Sequence, residues 1–323
     1  MTRFALSLVL PLALPFAASA ETLKLYTSQP NADAQKTVDA FQAAHPGITV
    51  DWVRDGTTQL MARMNAEKAA GAGQPDVLLI ADSVTLEGLV KEGRIAAYKS
   101  PEAAAYDPAL YSAEGYYHST KLITTGIAYH TEAKQIPASW ADLAKPEYKG
   151  LVAMASPLYS GAAMIHMTTL TSDAALGWPY YEALAANETR ADGGNGGVFK
   201  AVASGEKPYG VLVDYMALRA KAEGSPIEFI IPEEGVTWVT EPVAIVEGTK
   251  NLEAAQKFVD FVISEAGQNL VAEMGYIPAR NGIDSPAGFP ARDSLKLLTF
   301  EAGAALEATE TNKAKFSEIF GIK

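Results

Sequence analysis

Residues 23–27 read Leu-Lys-Leu-Tyr-Thr, and residues 33–44 read Asp-Ala-Gln-Lys-Thr-Val-Asp-Ala-Phe-Gln-Ala-Ala. The first stretch is short and largely apolar, as a strand inside a sheet is. The second sets Ala34, Val38 and Phe41 on one face of a helix. The pattern then repeats. Ile48–Val53 reads as a strand, Thr57–Ala72 as a helix with Leu60, Met61 and Met64 on one side, and Val77–Ala81 as a buried strand. Val84–Lys91 reads as a short helix closed by Gly93. This βαβαβ opening predicts an α/β protein with an open, mostly parallel sheet and helices on both faces.

Further along, Thr124–Tyr129 reads as a strand with no long helix before it, followed by the turn-rich segment Trp140–Gly150. Alternation resumes with strand Leu151–Ala155 and helices Gly161–Thr171, Gly177–Asn187 and Gly197–Ser204. Strand Val211–Asp214, helix Tyr215–Glu223 and strands Ile227–Ile231 and Glu241–Glu247 come next. A helical pair, Leu252–Glu273, carries Phe258, Phe261 and Val262 on its apolar side, and the last thirty residues read as a helical tail covering a lobe. A chain of this length exceeds what one core usually supports, so two lobes are expected. The division expected is 21–122 with 246–290 for one lobe and 123–245 with 291–323 for the other, joined by crossing strands near Ile123–Tyr129 and Val239–Val246. Ligands of open α/β sheets sit at the carboxyl ends of strands, which would then line a cleft between the lobes.

Residues 1–20 read as a cleavable export signal. Arg3 is their one charge, an apolar run follows from Phe4 to Phe16, and Ala18-Ser19-Ala20 fits the cleavage rule. The run is broken by Pro11 and Pro15 and is short for a membrane span. The expected location is the periplasm, with secretion as the lesser alternative. There is no cysteine, which excludes disulfides, thiolate metal sites and a lipid-bearing cysteine. The net charge of −12 would become −13 with Arg3 removed, and such a chain repels nucleic acid and anionic lipid. A small anion can still bind, because local N–H groups and hydroxyls outweigh a net charge screened beyond about 8–10 Å.

Ser156-Pro157-Leu158-Tyr159-Ser160-Gly161-Ala162-Ala163 joins a strand to a helix start. Hydroxyls and first-turn amides are aimed together there, and the helix dipole favours an anion; the plain alternative is a helix cap. Three other segments fall at expected strand ends. Tyr26-Thr27-Ser28 and Asp55-Gly56-Thr57-Thr58 offer hydroxyls, and Val213-Asp214-Tyr215 offers a carboxylate and a phenol that could meet a cation or ammonium or cap the next helix. Asp82 has the same ambiguity. Donors together with an acceptor suit a small zwitterion with a dense anionic end.

Catalytic signatures are missing. There is no Gly-x-Ser-x-Gly, no Gly-Lys-Ser/Thr phosphate loop and no His-Glu-x-x-His. Gly193-Gly194-Asn195-Gly196-Gly197 fails the dinucleotide pattern, and His45, His118, His130 and His166 lack metal-ligand spacing. A phosphoesterase using Ser156 or Ser160 would need a base within reach, and no histidine sits in these segments. The reading is therefore a binding protein rather than an enzyme, with no cofactor and no metal.

The mature chain resembles periplasmic solute-binding proteins of ABC importers, in the ferric-iron-binding group. The marks are Leu23–Thr27, Pro75-Asp76-Val77 with Asp82, Gly205-Glu206, Pro242-Val243-Ala244-Ile245, Ala254–Phe258 and Ser264-Glu265-Ala266-Gly267-Gln268. The resemblance implies a two-lobe, type II-like fold with a hinge of crossing strands, a cleft that closes on its solute, delivery to permease subunits at the inner membrane, and no chemistry. A monomer is expected. Iron binders of the group carry adjacent tyrosines where this chain has Asp214-Tyr215, so one phenolate is replaced by a carboxylate. The Ser156–Ala163 and Val213–Tyr215 segments look instead like the branch that binds organophosphorus solutes, 2-aminoethylphosphonate among them. That resemblance implies Thr27, Ser28, Thr57, Thr58, Ser156, Ser160, Gly161 and Ala162 around the phosphonate, Asp214 on the ammonium and Tyr215 lining the cleft. Ferric iron and a phosphorylated sugar remain alternative solutes.

Overall fold

The computed structural model describes residues 21–300 and 302–322, so the expected signal, residues 1–20, lies outside the described residues. The chain opens with β1 (Glu21–Thr27), α1 (Asn31–Ala44), β2 (Ile48–Arg54), α2 (Thr57–Ala69), β3 (Val77–Leu79), α3 (Ser83–Lys91) and β4 (Ile95–Ala96). Strand β1 lies between β2 and β3, parallel to both. Its Leu23 and Leu25 are fully buried against Val38 and Phe41 of α1, the face the periodicity predicts.

The chain then enters a second sheet through β5 (Lys121–His130). There follow α4 (Trp140–Leu143), β6 (Val152–Met154), α5 (Gly161–Thr171), α6 (Gly177–Ala186), β7 (Arg190–Ala191), α7 (Asn195–Ala203), β8 (Tyr209–Val213), α8 (Asp214–Ala222), β9 (Ile227–Ile230) and β10 (Thr237–Val239). The central order is β10-β5-β8-β6-β7, with β9 also on β5. Trp140, Val152, Met154, Leu170, Tyr181 and Tyr209 form this lobe's core.

Strand β11 (Val243–Val246) then returns to the first sheet, where the order is β2-β1-β3-β11-β4. It runs antiparallel to β3 and β4. The expected mostly parallel sheet is thus mixed, because β11 re-enters from the far lobe rather than through a local βαβ crossover. Helix α9 (Leu252–Ile263) packs Phe258 edge-on to Phe41 at 5.0 Å. Helix α10 (Glu265–Glu273) leads to β12 (Ile277–Pro278), which pairs with Leu122 and Lys121 of β5.

The chain crosses between lobes at His118–Lys121 and Thr240–Pro242. The N–H of His118 bonds to Val243 in the first sheet, whereas Ile123–Thr125 already pair with β10 in the second. The first crossing therefore lies just before Ile123. Its Lys121 is a buried ammonium that apolar patterning does not register as strand; the Glu241 carboxylate of the other crossing neutralises it. Helix α11 (Ala302–Phe320) lies across both lobes, with contacts to α3 on one side and to α5 and α6 on the other.

Candidate functional site

A cavity of about 390 Å³ opens between the lobes. Four helices begin on its wall. Thr57 starts α2, Gly161 and Ala162 start α5, Asn195, Gly196 and Gly197 start α7, and Tyr215 and Met216 belong to the first turn of α8. First-turn amides have no intrahelical acceptor, and the aligned dipoles make each start positive. Several such starts around one space form an anion cradle.

Side chains complete it. Ser28 Oγ and Thr57 Oγ1 are buried on this wall with no hydrogen-bond partner. Arg54 donates through Nε to Gln29 O at 2.9 Å, which leaves its other guanidinium donors free at the rim. Ser160 caps α5 by accepting from Ala163 N–H at 3.3 Å, so it is both cap and wall residue. Asn195 ties three helix starts together. Its Nδ2 donates to Ser160 Oγ at 3.2 Å, and its Oδ1 accepts from Val213 N–H at 3.2 Å.

The wall divides by contact. Tyr159, Gly56, Gly194, Thr57 and Gly161 abut one another around the helix starts. Ile123, Val213, Tyr215, Met216 and Val239 pack together as an apolar side. Glu241, two residues beyond Val239, is the one anionic side chain on the wall among the described residues, and Arg54 the one cationic. Glu241 meets both Lys121 Nζ and Gln29 Nε2 through Oε2, with Oε1 engaged by neither. Its backbone is held at φ +41°, a costly conformation for a residue with a side chain and one that concentrates at functional sites.

Of the residues expected from sequence, Ser28, Thr57, Ser160, Gly161, Ala162 and Tyr215 line this cavity. Thr27, Thr58, Asp82, Ser156 and Asp214 do not. Thr27 is fully buried, and its hydroxyl accepts from Gln29 N–H at 3.1 Å. Ser156 Oγ accepts from Leu158 N–H at 3.2 Å inside its own turn. Thr58 and Asp82 line a separate cavity of about 70 Å³ whose wall also carries Lys313. Asp82 caps α3 by accepting from Thr85 N–H at 2.7 Å, and burial raises its carboxyl pKa.

Asp214 is turned away from the cleft. Oδ2 accepts from the N–H and the hydroxyl of Thr124 at 3.1 and 2.8 Å, and Oδ1 accepts from Tyr215 N–H at 2.7 Å. Burial pushes its pKa up to about 6 despite these donors. The carboxylate expected to meet an ammonium is therefore engaged in holding β5 to the start of α8. Among the described residues, no three His, Cys, Asp or Glu side chains gather as a metal site. His166 is buried one turn into α5 from Ala162, shares a hydrogen bond with Thr237 at 3.0 Å, and is held neutral by burial with its pKa lowered to about 3.

A family model described as "Bacterial extracellular solute-binding protein" matches residues 73–302. The chain belongs to this family. It is 28% identical over 312 residues to an uncharacterized protein of Haemophilus influenzae, covering 90% of this chain and 88% of that one. It is 24% identical over 302 residues to a Salmonella typhimurium protein named "Putative 2-aminoethylphosphonate-binding periplasmic protein", covering 88% and 82%. The fold superposes on the periplasmic binding protein AfuA of Actinobacillus pleuropneumoniae, solved with fructose-6-phosphate bound. The TM-score is 0.86 at 22% identity, over 94% of this chain and 100% of AfuA. The protein is thus a periplasmic solute-binding component of an ABC transporter and not an enzyme.

For this solute-binding protein, sequence reasoning missed Arg54, Tyr159, Asn195, Gly196, Gly197 and Glu241. Gly193–Gly197 was legible in principle, since glycines at a helix start leave amides open to an anion whether or not they match a dinucleotide pattern. Glu241 had no local signal, because its place on the wall depends on Lys121 and Gln29 from distant parts of the chain.

Proposed function

We propose that the protein delivers a small organophosphorus solute, an aminoalkylphosphonate of the 2-aminoethylphosphonate type, to ABC permease subunits. The observation that carries this reading is the division of the cavity wall into a donor side and an apolar side with one carboxylate. A phosphonate can accept from the first-turn amides of α5 and α7, from Ser28 and Thr57, whose buried hydroxyls otherwise lack a partner, and from Arg54 at the rim. Each charge-assisted bond is worth about 1.5–3 kcal/mol. Four or five, less ordering costs, reach about −8 kcal/mol, which is micromolar binding.

A short alkyl spacer suits Ile123, Val213, Met216 and Val239, and the amine meets Glu241 Oε1. In this reading Glu241 takes the part that sequence suggested for Asp214. A phosphorylated sugar shares the anion end, but it brings several hydroxyls to a side whose polar side chains are Tyr215 and Glu241. Ferric iron is disfavoured because Asp214 is already engaged by three donors, leaving Tyr215 alone of that pair on the wall.

Calorimetry against 2-aminoethylphosphonate, ethylphosphonate, sugar phosphates, inorganic phosphate and Fe³⁺ tests the reading. The amine-bearing phosphonate should bind tightest, and Glu241→Gln, which also unpairs the buried Lys121 ammonium, should weaken it about tenfold more than it weakens ethylphosphonate. Tight Fe³⁺ binding without heat from any phosphonate would overturn the proposal, as would a sugar phosphate that outbinds every phosphonate.

A further inference from the structure

Three glycines stand where the two lobes touch, and none is required by its backbone angles. Gly56, the residue before α2, has φ −62° and ψ 152°, and Gly194, before α7, has φ −110° and ψ 179°. Any residue adopts these values. Space is the constraint. A Cβ on Gly56 would lie 2.8 Å from the backbone oxygen of Tyr159 and 2.9 Å from its ring. A Cβ on Gly194 would lie 2.9 and 3.0 Å from the same ring. The half-buried Tyr159 ring therefore sits between a glycine of the first lobe and a glycine of its own. Its hydroxyl donates to Asp55 Oδ1 of the first lobe at 3.1 Å. A second close approach lies nearby, where a Cβ on Gly161 of α5 would fall 2.2 Å from Asp82 Oδ2 and 2.9 Å from Thr57 Oγ1.

We infer that Tyr159 is the latch of the closed cleft. Its ring fills a slot formed only when Gly56 of one lobe comes against Gly194 of the other, and it covers the rim of the anion cradle beside Arg54. Tyr159 is fixed to its own lobe by a tight turn, in which the N–H groups of Tyr159 and Ser160 both donate to Ser156 O, at 3.1 and 2.9 Å. It is thus presented ready-made to the approaching lobe. Gly56, in contrast, meets Tyr159 only on closure. A methyl group at Gly56 has nowhere to go in the closed form, because its nearest neighbour is a backbone atom that cannot rotate aside. In the open form its remaining close neighbour is Gln59 Oε1 of its own lobe, 2.9 Å away, the end of a flexible side chain that can rotate aside, so it costs little. The inference does not depend on which phosphorus solute occupies the cleft.

The test uses the cysteine-free chain with spin labels at Lys68→Cys on α2 and Lys200→Cys on α7, both exposed and on opposite lobes. Distances are measured with and without 2-aminoethylphosphonate, inorganic phosphate and the sugar phosphates. Wild type should shorten with whichever of these binds. Gly56→Ala should keep the long distance at saturation, bind at least about tenfold more weakly, and melt without ligand at the wild-type temperature. Gly161→Ala should behave alike. Tyr159→Phe should close yet release ligand faster through loss of the Asp55 bond, and Gly73→Ala, whose Cβ would meet nothing within 4 Å, should match wild type. Normal closure and affinity in Gly56→Ala would overturn the latch. So would an equal loss of ligand-free stability in that variant, which would mark Gly56 as structural. Failure of every compound to close wild type would also sink it, whereas failure of 2-aminoethylphosphonate alone faults only the solute proposed above.

Discussion

Replacing Asp214 by asparagine separates a structural carboxylate from a ligand-binding one. The folded chain raises this carboxyl from 3.8 to about 6, chiefly by burial. Because the folded protein then holds the proton more tightly than the unfolded chain, the group's contribution to stability is complete below about pH 4 and is lost as pH rises through about 6. The loss by pH 7 is about 3 kcal/mol. Asparagine has no charge to bury and escapes that loss. Its NH₂ group must, however, face either Tyr215 N–H or the Thr124 donors, which costs about 1–3 kcal/mol at every pH. In urea denaturation at pH 4 to 7.5, Asp214→Asn should start less stable than wild type. It should then gain on wild type by about 2.4 kcal/mol across the range. Calorimetry on the same proteins should give equal affinity changes for 2-aminoethylphosphonate and ethylphosphonate. Parallel stability curves would refute the burial argument, and a loss confined to the amine would put Asp214 back in the cleft.

Arg54→Ala should weaken phosphonate binding about fivefold to tenfold, at the low end for a charge-assisted contact because Arg54 is exposed, and the deficit should shrink between 20 and 500 mM salt, a range spanning Debye lengths of about 20 to 4 Å; titrations at both ends check it. Asn195→Ala should lower affinity for every phosphorus oxyanion alike, since Asn195 links Ser160 to the starts of α7 and α8; a loss limited to amine-bearing solutes would contradict this. Phe316→Ala should cost about 3–5 kcal/mol in urea unfolding, because this fully buried ring of α11 stacks on Phe320 at 4.4 Å and meets Tyr181 edge-on at 6.2 Å.

Much of the fold was legible because its signals are local. The buried face of α1 follows from a 3.6-residue period, and the start of α5 at Gly161 follows from a serine cap just before it. The site was legible only in part. Ser160 and Thr57 were found because residues beside a helix start are positioned by that start. Arg54 and Glu241 were not, since nothing near them in sequence says which way they face.

By itself the sequence determined the alternating strands and helices, the helix starts that offer amides, and the absence of cysteine chemistry. These depend on residues a few positions apart. Tertiary structure decided which groups line the cleft. Asp214 turns inward because Thr124, ninety residues away, supplies two donors to a carboxylate that burial would otherwise disfavour. Glu241 remains at the wall because Lys121 and Gln29 hold one of its oxygens from the other crossing and the first lobe. Charge satisfaction is a long-range condition in a buried site, and it fixes which of two plausible carboxylates faces the cleft.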